Sequence, residues 1–114
     1  MSTPFEPVAG HAFMEMILAG PPEVVSTPQV TGDATVGQSL NCTMGVWVGM
    51  EVGSYEYHWQ RDGAPIDHAP LVADYLLVDA DVGALVNCVV IAQNALGLTA
   101  ADPTNEVGPV GAAP

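Results

Sequence analysis

Three histidines and two cysteines are the residues most able to support chemistry in this sequence of 114 residues. His11, His58 and His68 lie in three separate stretches, and no serine or carboxylate is spaced to form a nucleophile with a general base. Cys42 and Cys88 have no histidines at the spacing of a zinc site. The sequence therefore predicts a protein that is not an enzyme and that needs no metal or cofactor.

The segment from Asp79 to Gly83 begins like a calcium-binding loop. The position where a bidentate glutamate would follow is occupied by Val90, which we place on a strand. A tight turn capped by the side chain of Asp81 explains the same residues better. A further hypothesis is that Arg61, the only cation of the sequence, pairs with Asp81 at one end of the domain.

The charge of the chain limits its partners. Thirteen acidic residues against one arginine give a formal net charge of -12. Nucleic acid and anionic membrane surfaces are disfavoured as partners because the chain has almost no cations to contact phosphates. This charge favours a basic or apolar protein surface as the partner, although an acidic surface that is merely solvated would give the same composition.

No apolar run in the sequence is long enough to cross a bilayer. The one apolar run near the start, residues 12–18, contains Glu15 and lacks a basic flank. We therefore expect synthesis in the cytoplasm without a signal peptide. Thiols normally stay reduced there, so Cys42 and Cys88 either oxidise after release from the cell or remain two packed thiols.

Alternating hydrophobicity predicts an all-β domain over residues 24–108, after an N-terminal arm of residues 1–23 and before a flexible tail of residues 109–114. Trp59 lies on a central strand between Cys42 and Cys88 in the sequence, an order typical of a β-sandwich core. Asp62-Gly63 follows this strand as a hairpin turn. Residues 46–54 are predicted to be a glycine-interrupted loop. The predicted strands are 24–30, 39–44, 55–61, 64–66, 74–78, 85–93 and 98–107, and the predicted core residues are Leu40, Tyr57, Trp59, Tyr75 and Leu77.

Five short motifs occur in an order that is characteristic of one family. They are Gly37-Gln38-Ser39-Leu40, Tyr57-His58-Trp59-Gln60-Arg61-Asp62-Gly63, Tyr75-Leu76-Leu77, Asp81-Val82-Gly83 and Asn94-Ala95-Leu96-Gly97. Over about Val25 to Val107 the sequence thus resembles the bacterial and phage immunoglobulin-like domains. The resemblance implies an immunoglobulin-like β-sandwich of about seven antiparallel strands. In such a sandwich Cys42 and Cys88 would face each other as a candidate disulfide, worth roughly 3 to 4 kcal/mol if oxidised.

The sequence departs from the family pattern at two places. Val86 stands where antibody-type domains have a corner tyrosine, and Leu76 and Val78 stand where the family usually has polar residues. Leu76 and Val78 should face outward on one sheet, and Leu85, Val89 and Ile91 should face outward on the other. Such rows of outward apolar residues predict protein contact surfaces, unless parts of the same chain cover them.

The N-terminal arm offers a second set of apolar side chains. It lies on a partner or a neighbouring subunit, or it folds back on its own domain. The candidate contact residues of the arm are Phe13, Met14, Ile17 and Leu18.

Domains of this family recur in phage virion proteins and in bacterial surface proteins. The resemblance implies a phage virion structural protein, and we expect a capsid decoration protein on the capsid surface. Its partners would be the major capsid protein, other virion proteins or copies of itself. The alternatives are a tail or baseplate accessory protein, a bacterial adhesion module, and a carbohydrate-binding module with Trp47 and Tyr55 as its aromatic platform.

Overall fold

The computed structural model describes residues 20–49 and 51–114. These residues form nine strands and one short 3₁₀ helix at Asp79–Asp81, so the prediction of an all-β chain is confirmed. The strands are β1 (Glu23–Ser26), β2 (Val30–Thr31), β3 (Ser39–Cys42), β4 (Val46–Val48), β5 (Ser54–Arg61), β6 (Ala64–Pro65), β7 (Asp74–Leu76), β8 (Val86–Asn94) and β9 (Gly97–Ala100). They pair antiparallel in three sheets of order β1-β4, β2-β3-β7 and β6-β5-β8-β9.

The longest pairing joins β5 to β8, from Ser54 opposite Gln93 to Arg61 opposite Val86. Trp59 stands opposite Cys88 in this register, so both side chains point to the same face. β5 is followed by Asp62-Gly63, whose φ angles of 50° and 81° are both positive. A tight two-residue hairpin requires this conformation, and it leads the chain directly into β6.

The core lies where β3 and β7 face β5 and β8. Its buried apolar members are Val30, Leu40, Cys42, Trp59, Tyr75, Leu77, Val86, Cys88, Val90 and Val110. Four of the five predicted core residues are at most 5% exposed, whereas Tyr57 is only half-buried and packs against the cluster. The ring of Trp59 stacks on that of Tyr75 with 5.4 Å between centroids.

The predicted first strand, residues 24–30, is instead two strands in different sheets. β1 pairs with β4 and β2 pairs with β3. The fully buried Pro28 separates them, because proline has no N–H with which to continue a ladder. β4 itself lies inside the predicted loop, where Gly45 and Gly49 with positive φ confine it to three residues.

The predicted last strand also ends early, at Ala100. Beyond it, Thr104 pairs with Cys88 in both directions: Thr104 N–H donates to the Cys88 carbonyl, and Thr104 Oγ1 accepts from Cys88 N–H. Asn105 Oδ1 accepts from Val30 N–H at 2.8 Å, and Asn105 Nδ2 donates to the Val30 carbonyl at 2.9 Å. The Asn105 side chain thereby replaces a backbone partner for β2.

The first residues of the predicted C-terminal tail contact the domain. Val110 is 2% exposed and belongs to the core cluster. Its N–H donates to the Ala84 carbonyl, and its carbonyl accepts from Gly83 N–H. The Gly111 N–H donates to the Ala34 carbonyl, and the Gly111 carbonyl accepts from Val36 N–H. The chain therefore stays attached to the domain through residue 111.

Candidate functional site

Asp81 carries the only buried carboxylate among the described residues. It is fully buried, and its Oδ1 accepts a hydrogen bond of 2.7 Å from Arg61 Nε. Its Oδ2 accepts from Tyr75 OH and from Val78 N–H, both at 2.9 Å. The hypothesis from the sequence that Arg61 pairs with Asp81 therefore agrees with the direct contact between the two side chains. The sequence did not indicate Tyr75 as a third member.

Both side-chain partners of Asp81 have a raised pKa. The hydrogen bond to Asp81 raises the pKa of Arg61, and burial followed by the hydrogen bond to Asp81 raises the pKa of Tyr75. Hydrogen bonds from Arg61, Tyr75 and Val78 hold the carboxylate at the turn between β7 and β8, as expected for an aspartate that caps a turn. The described residues contain no group of three or more metal-ligating side chains.

Cys42 and Cys88 are buried free thiols that interact across the core. The hydrogen bond between them lowers the pKa of Cys42. The same contact, together with burial, raises the pKa of Cys88. Cys42 Sγ also donates to the carbonyl of Thr43 at 3.2 Å. The pair behaves as packed thiols in this state, and the disulfide stays a prediction for oxidising conditions.

The histidines are dispersed. His58 Nε2 lies 3.0 Å from Glu56 Oε1 on the outer face of β5. His68 stands in the loop after β6 with a positive φ of 62°, and His11 lies outside the described residues. Within the described ranges, the two histidines therefore sit on different elements.

The outer face of the four-stranded sheet carries an apolar groove of about 250 Å³. We call it the sheet-face groove, and its floor consists of His58 and Gln60 from β5 and Val89 and Ile91 from β8. Its wall is the loop that follows β6. The lining residues are His58, Trp59, Gln60, Pro65, Ile66, Ala69, Leu71, Val89 and Ile91. Val89 and Ile91 were predicted as contact residues, but the loop wall was not.

Leu76 and Val78, predicted to face outward on the other sheet, are 55% and 42% exposed. They border a second crevice of about 290 Å³, which also includes Arg61 and Tyr75. Leu85 is half-buried. The four arm residues predicted as contacts, Phe13, Met14, Ile17 and Leu18, lie outside the described residues.

Trp47 and Tyr55 do not form a flat aromatic platform. Their rings meet edge to face, with 6.3 Å between centroids and 60° between planes. Both are half-buried against the core, and Trp47 Nε1 donates to the Met44 carbonyl. A sugar ring could not stack on both rings at once.

The described part of the chain contains no helix of the length and hydrophobicity that a membrane crossing requires. No protein-family model matches the sequence, and no curated protein or solved structure is significantly similar to it. The described residues present two apolar surfaces on an acidic all-β body.

Proposed function

We propose that the chain is a phage virion structural protein with an immunoglobulin-like β-sandwich fold, and that it decorates the capsid surface without catalysing a reaction. The fold proposal is supported by two sheets, β2-β3-β7 and β6-β5-β8-β9, whose residues fill one core. Trp59 and both cysteines lie within that core. This arrangement agrees with the Cys-Trp-Cys pattern of such sandwiches.

The observation that carries the functional proposal is the apolar surface on the outside of both sheets. Leu76 and Val78 are exposed beside the buried Tyr75 and Leu77, and Val89 and Ile91 line the sheet-face groove. Apolar area removed from water by a partner contributes about 25 cal/mol per Å². A contact repeated around a shell would add this contribution at each copy and reinforce the lattice.

The charge of the chain suits attachment to an existing assembly. The net charge is -12, and the single arginine is already paired with Asp81. Copies of such a protein repel one another in solution, which disfavours self-association through the apolar faces. A preformed shell that presents basic or apolar surface, built from the major capsid protein or other virion proteins, provides the complementary partner.

Immunogold electron microscopy tests the proposal. Antibodies against the purified chain should label phage particles from the producing culture, with gold grains distributed over the shell. Grains confined to the tail would overturn the capsid assignment and support the tail or baseplate alternative. Particles without grains would overturn the virion function altogether.

A further inference from the structure

Hydrogen bonds to β5 fix the loop that forms the wall of the sheet-face groove. Ile66 N–H donates to the Trp59 carbonyl at 3.1 Å, and Tyr57 N–H donates to the Leu71 carbonyl at 3.3 Å. The indole N–H of the buried Trp59 donates to the Val72 carbonyl at 2.8 Å. These bonds attach both ends of the loop to β5. The groove is therefore preformed, so a partner would pay little conformational cost to order it.

The size of the groove favours a side chain over a metabolite. Its volume of about 250 Å³ lies below the range of roughly 300 to 1,000 Å³ that is usual for small-molecule pockets. Val89, Ile91 and Leu71 supply an apolar lining, and Leu71 is 47% exposed. Leu98, on the same face of the neighbouring strand β9, is 64% exposed and extends the apolar surface. One apolar side chain of an extended segment fits such a site.

One carboxylate, that of Glu56, lies beside the groove, because Glu56 stands opposite the lining residue Ile91. Glu56 precedes His58 by two residues on the same face of β5, and its side chain is 54% exposed. Glu56 Oε1 also lies 3.0 Å from Nε2 of His58 in the groove floor, whereas the exposed Asp67 of the loop lines the second crevice. A cation beside the inserted apolar side chain would therefore meet a carboxylate.

Charge disfavours the two occupants that this chain could itself supply. A second copy carries the same net charge of -12 and has no free lysine or arginine to place at the rim. The sequence before Gly20 contains Glu6 and Glu15 and neither a lysine nor an arginine. The complementary occupant is a basic segment of another protein.

We propose that the sheet-face groove binds an extended protein segment that inserts an apolar side chain against Ile91 and Leu71 and places a lysine or arginine against Glu56. This inference rests on the proposed function only in taking the partner to be a protein. It names the surface of contact and the chemistry of the partner.

Nuclear magnetic resonance titration of the ¹⁵N-labelled full chain tests it. The probe is the peptide acetyl-Lys-Ile-Lys-Leu-Lys-amide. Two control peptides are used. One has glutamate in place of every lysine, and the other has serine in place of isoleucine and leucine. We expect amide shifts centred on Val89, Ile91 and Leu71 with the first peptide only. Leu71→Ser should weaken its binding by about tenfold, whereas Leu96→Ser, at an equally exposed leucine outside the groove, should leave it unchanged.

Charge neutralisation gives a second comparison. Glu56→Gln should weaken binding by about threefold, while Asp79→Asn, at the exposed first residue of the 3₁₀ helix, should change it little. Equal binding of the serine peptide, or shifts spread over the acidic loops, would overturn the inference. Shifts that depend on protein concentration without peptide would assign the groove to a second copy instead. The titration needs no virus particle, so the two proposals can fail separately. Particles without gold label would refute the virion function alone. Labelled particles, combined with a titration that shows no shifts at the groove, would refute only this inference.

Discussion

Arg61 Nε lies 2.7 Å from Oδ1 of Asp81, and this carboxylate has no exposure to solvent. The contact ties the end of β5 to the 3₁₀ helix between β7 and β8. The Arg61 side chain is 30% exposed, so only one charge of the pair is fully desolvated. Because Asp81 also accepts a hydrogen bond from Tyr75 on β7, the pair links the sheet that contains β5 to the sheet that contains β7 at this end of the domain.

Removing the cation should destabilise the fold. Arg61→Ala leaves the Asp81 carboxylate buried without its charged partner, and we expect a loss of about 2 to 4 kcal/mol in the free energy of unfolding. Urea denaturation measures it. Glu56→Ala removes the partner of His58 at the surface and should change the stability by less than about 0.5 kcal/mol. Equal effects of the two substitutions would contradict the structural role of the buried pair.

The stability should fall at alkaline pH, in part through Tyr75. Its pKa is raised above the ordinary value of 10.0, chiefly by burial and then by the hydrogen bond to Asp81. Above pH 10 the unfolded chain loses the phenol proton while the folded chain keeps it, so stability is lost as pH rises through the folded pKa.

Tyr75→Phe isolates this contribution. The substitution should cost about 1 kcal/mol at neutral pH through the lost hydrogen bond, and the stability of the variant should fall less steeply above pH 10. Urea unfolding across the pH range compares the two proteins. Parallel profiles of stability against pH would show that Tyr75 does not titrate with folding.

The C-terminal residues offer a matched pair of truncations. Ending the chain at residue 108 removes the buried Val110 and its two backbone hydrogen bonds, together with those of Gly111. We expect a loss of at least about 2 kcal/mol, from burial of the valine side chain alone. Ending it at residue 111 removes only exposed residues and should leave the melting temperature unchanged. Unchanged stability after truncation at residue 108 would show that residues 109–111 contribute nothing to the fold. A lower melting temperature after truncation at residue 111 would show that the last three residues do contribute.

The two thiols should be unreactive in the folded chain. Cys42 and Cys88 are 2% and 0% exposed, so a water-soluble disulfide reagent should modify both only after unfolding. Ser54→Cys, which places a thiol at an exposed position on β5, is the control that should react at once. Fast modification of the unaltered native chain would mean that the core opens readily at the cysteines.

Strict alternation made the strands around the core predictable. Leu40 and Cys42 alternate with polar residues, and Tyr57 and Trp59 alternate with His58 and Gln60. β3, β5 and β8 therefore lie close to their predicted positions. The Asp62-Gly63 hairpin was equally predictable, because few sequences accept two consecutive positive φ angles.

The parts that sequence reasoning missed depend on tertiary contacts. β4 is too short and too glycine-bounded to show a period, and its pairing with β1 has no local signal. The Asn105 side chain acts as a strand partner for Val30, which no periodicity encodes. Val110 stands in a stretch of small residues that is typical of a loose tail, yet it fills a gap in the core. The loop wall of the groove, including Leu71, forms only when the loop folds back on β5.

Co-sedimentation with phage particles tests the central claim most directly. Under the proposed virion function, purified chain mixed with particles of the phage proposed to carry it should migrate with them in a sucrose gradient, and Leu96→Ser should behave in the same way. Leu71→Ser should reduce the bound fraction, because it removes apolar surface from the sheet-face groove. Unaltered chain that stays at the top of the gradient, with no copies in the particle fraction, would contradict the account.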